Sequence, residues 1–320
     1  MSGATKIEVR VTEIVPLNDL VTRFRFEPLD GSLLPTFSGG AHTVVEMKDG
    51  DRTRLNPYSL MSDPSDRNAY TISVRRDDEG RGGSLFLHKN VKVGDEMVLS
   101  NPVNLFSLDL RAKKHLMIAG GIGITPFMAQ IKQLDRNHGN WELHYSARSE
   151  DLASYARELT SEHPNDVHVY YNDKDQSIDL EQLLDGQPLG THIYICGPRG
   201  MIDWVRGTAK ELGWPREAVH FEEFLAPKPG KPFEVKLAVS NKVIEVGEHE
   251  SLLEAIERAG VDAPYLCRGG ACGQCETNVL ECDGEIVHRD HWLEPDEHAS
   301  NEKIMPCVSR FVGKTLVLDR

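Results

Sequence analysis

The sequence predicts three consecutive domains: an antiparallel β-barrel, a parallel α/β domain and a small β-rich domain. Three observations carry this reading. From Met1 to about Leu110, short runs alternate apolar and polar residues between recurrent turn signals. From Arg111 to Pro227, strand-like and helix-like segments take turns, the pattern of a parallel sheet. Beyond a proline-rich stretch, the remaining residues place three of the chain's six cysteines within CRGGACGQC, Cys267 to Cys275.

In the first segment Ile7, Val9 and Val11 alternate with polar residues, as do Phe24 and Phe26, and LDGS, KDGD, SDPSD and DDEG supply turns. Many short strands of this kind suggest a barrel, and a β-sandwich carries the same pattern. In the second segment HLMIA reads as a strand, GGIGITP as a glycine-rich loop and FMAQIKQL as an amphipathic helix. Thr125 is placed to cap that helix, and Pro126 suits its first turn. WELHYSA, VHVYYN and HIYIC are further strands, the last ending at Cys196. FLAPKPGKPF, with Pro227, Pro229 and Pro232, reads as a stiff linker. The predicted domains are therefore 1–110, 111–227 and 228–320. In the last of these, FEVKLAVSNKVIEVG suggests a hairpin turning at Ser240 and Asn241. SLLEAIERAG reads as a helix with a Ser251/Glu254 capping box and a terminating Gly260, and TLVLDR as a closing strand.

The 320 residues carry 36 basic and 50 acidic side chains, a net charge of −14, which argues against nucleic acid or an anionic membrane as partner. Lys231 to Arg320 hold 17 acidic and 10 basic residues, half of that excess, in keeping with a separate C-terminal module. No apolar run approaches the ~18 residues of a membrane span, and MSGATKIEVR is no secretory signal. The expected location is the cytoplasm, where clustered cysteines bind metal or do redox chemistry more often than they form disulfides.

The cysteine spacing is Cys267-x4-Cys272-x2-Cys275, with 31 residues between Cys275 and Cys307. This matches the plant-type pattern for a [2Fe–2S] cluster, and Gly269, Gly270, Ala271 and Gly273 leave room for backbone amides to approach the sulfurs. A structural zinc site is the competing reading, although zinc sites usually show two short pairs where this loop has one. Cys282 reads as a spare thiol where a strand runs into a turn, and His288 and His291 as surface loop residues.

The cysteine loop resembles a plant-type ferredoxin, and with the two preceding segments the whole chain resembles the phthalate dioxygenase reductase family. That resemblance implies an N-terminal flavin-binding barrel, a central nicotinamide-binding α/β domain and a C-terminal β-grasp ferredoxin domain. It implies FMN, NADH and a [2Fe–2S] cluster as cofactors. It also implies electron delivery to a Rieske-type aromatic-ring oxygenase or demethylase, of phthalate-like aromatic acid catabolism, that docks at the ferredoxin domain. An FAD-dependent reductase for another monooxygenase or ferredoxin is the alternative within redox chemistry, and a non-catalytic metal-binding protein the alternative outside it.

The resemblance also implies site residues. NPYSL is similar to the family's Arg-x-Tyr-Ser flavin motif, which places Tyr58, Ser59 and Leu60 at the isoalloxazine. The motif's arginine position holds Asn56, so Arg54 is the candidate for that role. Val74 and Arg75 would lie along the flavin, and Arg81, Gly82, Gly83 and Ser84 would hold its phosphate. Gly120, Gly121 and Gly123 resemble the ferredoxin-reductase form of a nicotinamide loop, because Pro126 stands where G-x-G-x-x-G has its third glycine. Thr125, Cys196, Gly197 and Pro198 would border the nicotinamide, Phe224 would cover the flavin and Arg148 would contact the adenosine half. The acidic YYNDKD segment, Tyr170 to Asp175, favours NADH over NADPH. Between Glu281 and Glu302 eight acidic residues face one basic residue, Arg289, which suggests a docking surface for the partner.

Overall fold

The computed structural model describes residues 6–50, 52–225 and 228–320. Pro227, where the sequence places the end of the second domain, lies outside the described residues, as does Met1.

Strands β1 (Lys6–Pro16), β2 (Val21–Pro28), β3 (Ala41–Asp49), β4 (Arg52–Ser59), β5 (Tyr70–Arg75), β6 (Glu96–Ser100) and the two-residue β7 (Val103–Asn104) make one antiparallel sheet. Its order is β4-β3-β6-β1-β2-β5, with β7 beside β3. Period-two patterning sends Val9, Val11, Phe24, Phe26, Val45, Met47 and Ile72 inward, where all are fully buried. The sheet thus curls around its own core as a barrel. β4 and β5 stand at opposite ends of the order and share no ladder, so the barrel is open along one seam. Helix α1 (Gly83–Asn90) packs near that seam against β3, β4 and β5. The sequence reading assigns Gly82 to Ser84 to phosphate binding and does not foresee α1, because its apolar face is short and buries one large side chain, Leu87.

The second sheet is parallel. It contains β8 (Lys114–Gly120), β9 (Trp141–Ala147), β10 (Val167–Tyr171), β11 (Thr191–Cys196) and β12 (Val219–Glu222), in the order β10-β9-β8-β11-β12. Helices α2 (Thr125–Arg136), α3 (Ala156–Glu162), α4 (Leu180–Asp185) and α5 (Arg199–Glu211) complete the domain. Two apolar clusters cover the sheet, one with Phe127, Met128 and Ile131, the other with Leu180, Leu184, Ile202 and Val205. Strand order reverses between β8 and β11, which opens a crevice at their C-terminal ends. Thr125 does not cap α2. A tight turn over Gly121–Ile124 leads directly into the helix, Ile124 takes the cap position, and the Thr125 hydroxyl donates back to the Ile122 carbonyl at 3.0 Å.

The third sheet has the order β14-β13-β17-β15-β16, from β13 (Phe233–Leu237), β14 (Lys242–Val246), β15 (Thr277–Val287), β16 (Lys303–Ile304) and β17 (Arg310–Leu318). The first and last strands, β13 and β17, pair in parallel, and the turn between β13 and β14 uses Asn241 at φ +51°. Helix α6 (Leu252–Arg258) grips the sheet by burying Leu252, Leu253 and Ile256 against Val235, Leu237, Leu316 and Leu318. Its capping box is complete: the Ser251 hydroxyl accepts from the Glu254 amide, and the Glu254 carboxylate accepts from the Ser251 amide. A short helix, α7 (Pro295–Ser300), precedes β16. Cys282 lies in the middle of the eleven-residue β15 and not at a strand end, because the backbone continues through an irregularity at Gly284.

Side chains tie the sheets together. Ser73 of β5 and Tyr155 share a 2.6 Å hydrogen bond, and the Gly39 amide donates to Gln133 of α2 at 2.7 Å. Arg81, just before α1, pairs with Glu254 of α6 at 2.7 Å, and both side chains are largely buried. Arg310 donates to the carbonyls of Gly230, Lys231, Gly247 and Glu250, clasping the chain where it enters the third sheet.

Candidate functional site

The four cysteines of the spacing motif come together as two pairs. The thiol that acts most on Cys267 is that of Cys272, and the one that acts most on Cys275 is that of Cys307. Cys267, Cys275 and Cys307 are buried, Cys272 is half-buried, and all four are free. The Cys272 thiol and the amides of Gly269, Ala271 and Cys272 hold Cys267 well below the ordinary thiol range; the Gly269 amide lies 3.3 Å from its sulfur. In the second pair the Cys307 thiol lowers Cys275, while Cys307 itself is raised. One tetrahedral zinc, with Zn–S bonds of about 2.3 Å, needs all four sulfurs within about 3.8 Å of one another. Among the described residues no three thiols converge that tightly, whereas two pairs are what two irons require.

The loop's glycines are close approaches. At Gly273 (φ +74°) a Cβ would fall 2.3 Å from the Trp292 ring, and at Gly270 (φ +73°) 2.8 Å from Val308. Trp292 lies over the loop, half-exposed, with its indole N–H on Glu276. Arg268, buried and next to Cys267 in sequence, pairs with Glu257 and stacks on Tyr265.

The residues expected at the flavin gather along the barrel's open seam. Tyr58, Ser59 and Leu60 come from the end of β4, and Val74 and Arg75 from β5. As edge strands, both have one side free of ladder partners. Tyr58 accepts from Asn56 at 3.3 Å, and burial raises its phenol strongly. The buried Ser59 hydroxyl has no hydrogen-bond partner among the described residues, an acceptor and donor left for something lying in the seam. Arg75 is exposed, and the Val74 carbonyl faces a ring nitrogen of His88 at 2.9 Å.

Arg54 reaches the Arg81–Ser84 segment. Its guanidinium donates twice to Asp49 (3.0 and 2.8 Å) and once to the Arg81 carbonyl, so it is fixed beside the start of α1. A Cβ on Gly82 (φ +97°) would meet that guanidinium at 3.2 Å, and one on Gly83 would strike Asn56 at 2.4 Å. Asn56 therefore packs under the same glycines. The Ser84 hydroxyl accepts from the Asp77 amide at 3.0 Å, which orders the loop. Arg81 is turned toward Glu254 of the third domain.

The expected nicotinamide residues line the crevice between β8 and β11. A Cβ on Gly123 would lie 2.2 Å from the Cys196 carbonyl, and one on Gly120 would lie 2.7 Å from Pro198. These two glycines let the two strand ends touch. Gly121 (φ +55°) faces open space at the start of the twelve-residue α2, a place suited to an anion. Cys196 is fully buried, and burial pushes its thiol well up, so it is a neutral group. Thr125, the first residue of α2, is also buried. Arg148 is exposed just beyond β9, and its carbonyl accepts from the Asp173 amide at 3.0 Å. Asp173 and Asp175 are exposed at the end of β10.

Sequence reasoning missed Glu222, at the end of β12. Its Oε2 is buried without a hydrogen-bond partner among the described residues, and burial with the nearby Cys267 thiol pushes the carboxyl up to about 8. Glu222 also acts on Cys196. Just past β12, Leu225 lies against Gly270, so the nucleotide edge of the second sheet abuts the cysteine loop of the third domain. Nothing in the FEEF string distinguishes this glutamate from its neighbour. Glu223 lies 2.7 Å from His291, and Phe224 is half-exposed next to them. His288 is not a surface residue: its ring is buried against His298, and the adjacent Asp290 is fully buried. Asp290 thus drops out of the expected acidic docking surface, while Asp296 remains exposed.

Two family models match the chain. One, the N-terminal domain of dimethylamine monooxygenase subunit DmmA-like proteins, covers residues 97–219. The other, a 2Fe–2S iron–sulfur cluster binding domain, covers 235–312. The heme-dependent oxidative N-demethylase beta subunit of Ectopseudomonas mendocina (strain ymp) is 45% identical, with 99% of both chains covered. The carnitine monooxygenase reductase subunit of Escherichia coli (strain K12) is 42% identical, with 100% of both covered. Among solved structures, phthalate dioxygenase reductase, described as a modular structure for electron transfer from pyridine nucleotides to [2Fe–2S], superposes with a TM-score of 0.90. It is 34% identical, and the match covers 99% of this chain and 98% of that one.

Proposed function

The chain belongs to the phthalate dioxygenase reductase family, and from this premise we propose that it passes electrons from NADH through FMN and a [2Fe–2S] cluster to an oxygenase or demethylase component. It is an iron–sulfur flavoprotein oxidoreductase. The observation that carries the reading is the junction just past β12, where Glu223 pairs with His291 of the third domain at 2.7 Å and Leu225 lies against Gly270 of the cysteine loop. Hydride entry and single-electron exit thus lie next to each other.

Each residue's task follows from its position. Arg54, the α1 start at Gly82 and Gly83, and Ser84 hold the flavin phosphate, with Arg81 bracing the ferredoxin domain against it. Tyr58, Ser59, Leu60, Val74 and Arg75 line the ring along the open seam, and Phe224 covers it. Gly120, Gly121 and Gly123 admit the dinucleotide's pyrophosphate to the start of α2. Thr125, Cys196, Gly197 and Pro198 border the nicotinamide, and Arg148 the adenosine. Asp173 and Asp175 disfavour a 2′-phosphate by charge. Cys267, Cys272, Cys275 and Cys307 ligate the cluster. The cofactors supply the conversion of a two-electron hydride into single electrons, and the protein supplies distance, orientation and exclusion of water.

For the partner, a Rieske oxygenase acting on a phthalate-like aromatic acid follows from the family's name. The two relatives of higher identity, 45% and 42%, are named for N-demethylation and carnitine, which favours an oxygenase whose substrate is N-alkylated. The test is NADH consumption by the purified reductase with a purified oxygenase from the same cells. The reading expects a flavin and iron–sulfur absorption spectrum, FMN as the released flavin, and consumption stimulated by an N-methyl substrate. Release of FAD, or stimulation by aromatic acids alone, overturns the corresponding part.

A further inference from the structure

The loop between β15 and β16 gathers two histidines and an aspartate that electron transfer leaves without a task. The Asp290 side chain is fully buried, and it accepts from the Leu293 amide (2.9 Å), His298 Nε2 (3.2 Å) and the Ser309 hydroxyl (3.4 Å). The His288 and His298 rings stack with centroids 4.4 Å apart and planes 22° apart. The His288 side chain is 8% exposed. Its Nε2 faces the carbonyl oxygen of the Asn301 amide at 3.3 Å, an acceptor, so Nε2 carries the proton and Nδ1 is a bare lone pair. Among the described residues that Nδ1 is buried without a hydrogen-bond partner, 3.8 Å from Asp290 Oδ1. A buried acceptor left unmade costs free energy unless something else binds it. Donor atoms of all three side chains lie within 4.8 Å of one another.

We propose that His288, Asp290 and His298 form a binding site for a divalent cation of the zinc type, separate from the four thiolates. Two imidazoles and a carboxylate, with water completing the shell, are a donor set that suits zinc. The surroundings supply the outer partners such a site uses. Asn301 fixes the His288 tautomer, and the Leu293 amide with Ser309 orients the Asp290 carboxylate. Burial keeps His288 below the ordinary imidazole range, hence neutral and able to ligate. His298, 30% exposed, can turn to close the remaining distance.

A second histidine cluster, Glu142 with His144 and His168, lacks this feature. Lys114 binds Glu142 at 2.5 Å, and both His144 nitrogens have partners, Tyr170 and Glu142. The proposed cation would brace the wall of the cysteine loop. The His291 amide donates to the Gly270 carbonyl at 3.0 Å, and a Cβ on Gly270 would lie 3.1 Å from Asp290 Cα.

The test uses the holoprotein with its flavin and full iron content, titrated calorimetrically with zinc chloride, with bound zinc and iron then measured by mass spectrometry. One zinc per chain should bind with no loss of iron. His288→Gln and His298→Gln should each weaken binding more than about 100-fold, and Asn301→Ala about 10- to 100-fold, the range for loss of an outer partner. His168→Gln should leave it unchanged. Iron content and the visible spectrum report whether each variant is folded. Wild-type holoprotein that takes up no zinc, or takes it up in exchange for iron, overturns the proposal. So does retention of zinc by folded His288→Gln and His298→Gln, or its loss in His168→Gln. Should both histidine variants fail to fold, wild-type stoichiometry and Asn301→Ala decide.

Discussion

The cysteine loop and the barrel seam are both cofactor sites in this account, and they are built differently. Three of the four cysteines lie within nine residues, and the loop's own amides and glycines shape their surroundings. The seam draws Arg54 and Tyr58 from β4, Val74 from β5 and Ser84 from α1, and depends on a barrel that stays open between β4 and β5. A site made from local spacing fails all at once when one ligand is lost. A site assembled at long range has several partial supports, and it should weaken by degrees.

The largest effect is expected at the loop. Serine at Cys267, Cys272, Cys275 or Cys307 should abolish the iron–sulfur absorption and delivery to one-electron acceptors, while NADH still reduces the flavin. Cys282→Ser should change neither, since Cys282 sits in mid-strand. Graded loss over the four variants would break the comparison.

Next comes Gly123→Ala. Its new methyl group has a backbone carbonyl 2.2 Å away, so β8 and β11 must part. Overpacking of this kind costs about 1–3 kcal/mol, visible in thermal denaturation, and stopped-flow hydride transfer should slow as the crevice widens. Unchanged hydride transfer in a folded variant would remove the crevice from the mechanism.

Arg54→Ala should weaken flavin retention by about 10- to 100-fold, the scale of one hydrogen bond to a charged group. Asp49→Asn, which loosens the guanidinium without removing it, should give a smaller loss in the same equilibrium dialysis. Equal losses would show that position, and not charge, is what Arg54 supplies. The smallest effect is expected from reversing Asp296 to lysine. Glu297 is held by Lys303 at 2.8 Å, so Asp296 is the freer charge. The second-order rate with the oxygenase should fall severalfold at low salt and converge with wild type at ~0.1 M, where screening sets in within about 10 Å. Identical salt profiles would place docking elsewhere.

The same contrast explains what could be read in advance. The three-part architecture was legible because periodicity changes at each junction, and the capping box at Ser251 and Glu254 is a local signal. Helix α1 was not, since it buries a single large side chain and begins with glycines. The cap assigned to Thr125 failed because the preceding turn already enters the helix. Glu222 and the His288–Asp290–His298 cluster were invisible for a different reason. Burial of a polar group is a tertiary fact, and FEEF or HRDHW looks the same on a surface as in a core.

The central claim is that electrons enter through the seam and leave through the loop, in that order. Anaerobic stopped-flow reduction by NADH, followed at the flavin and cluster bands, tests it most directly. Wild-type protein should lose flavin absorption first and cluster absorption after it, with the second phase absent in Cys272→Ser and the first unchanged. Cluster reduction that keeps pace in protein stripped of its flavin would contradict the account.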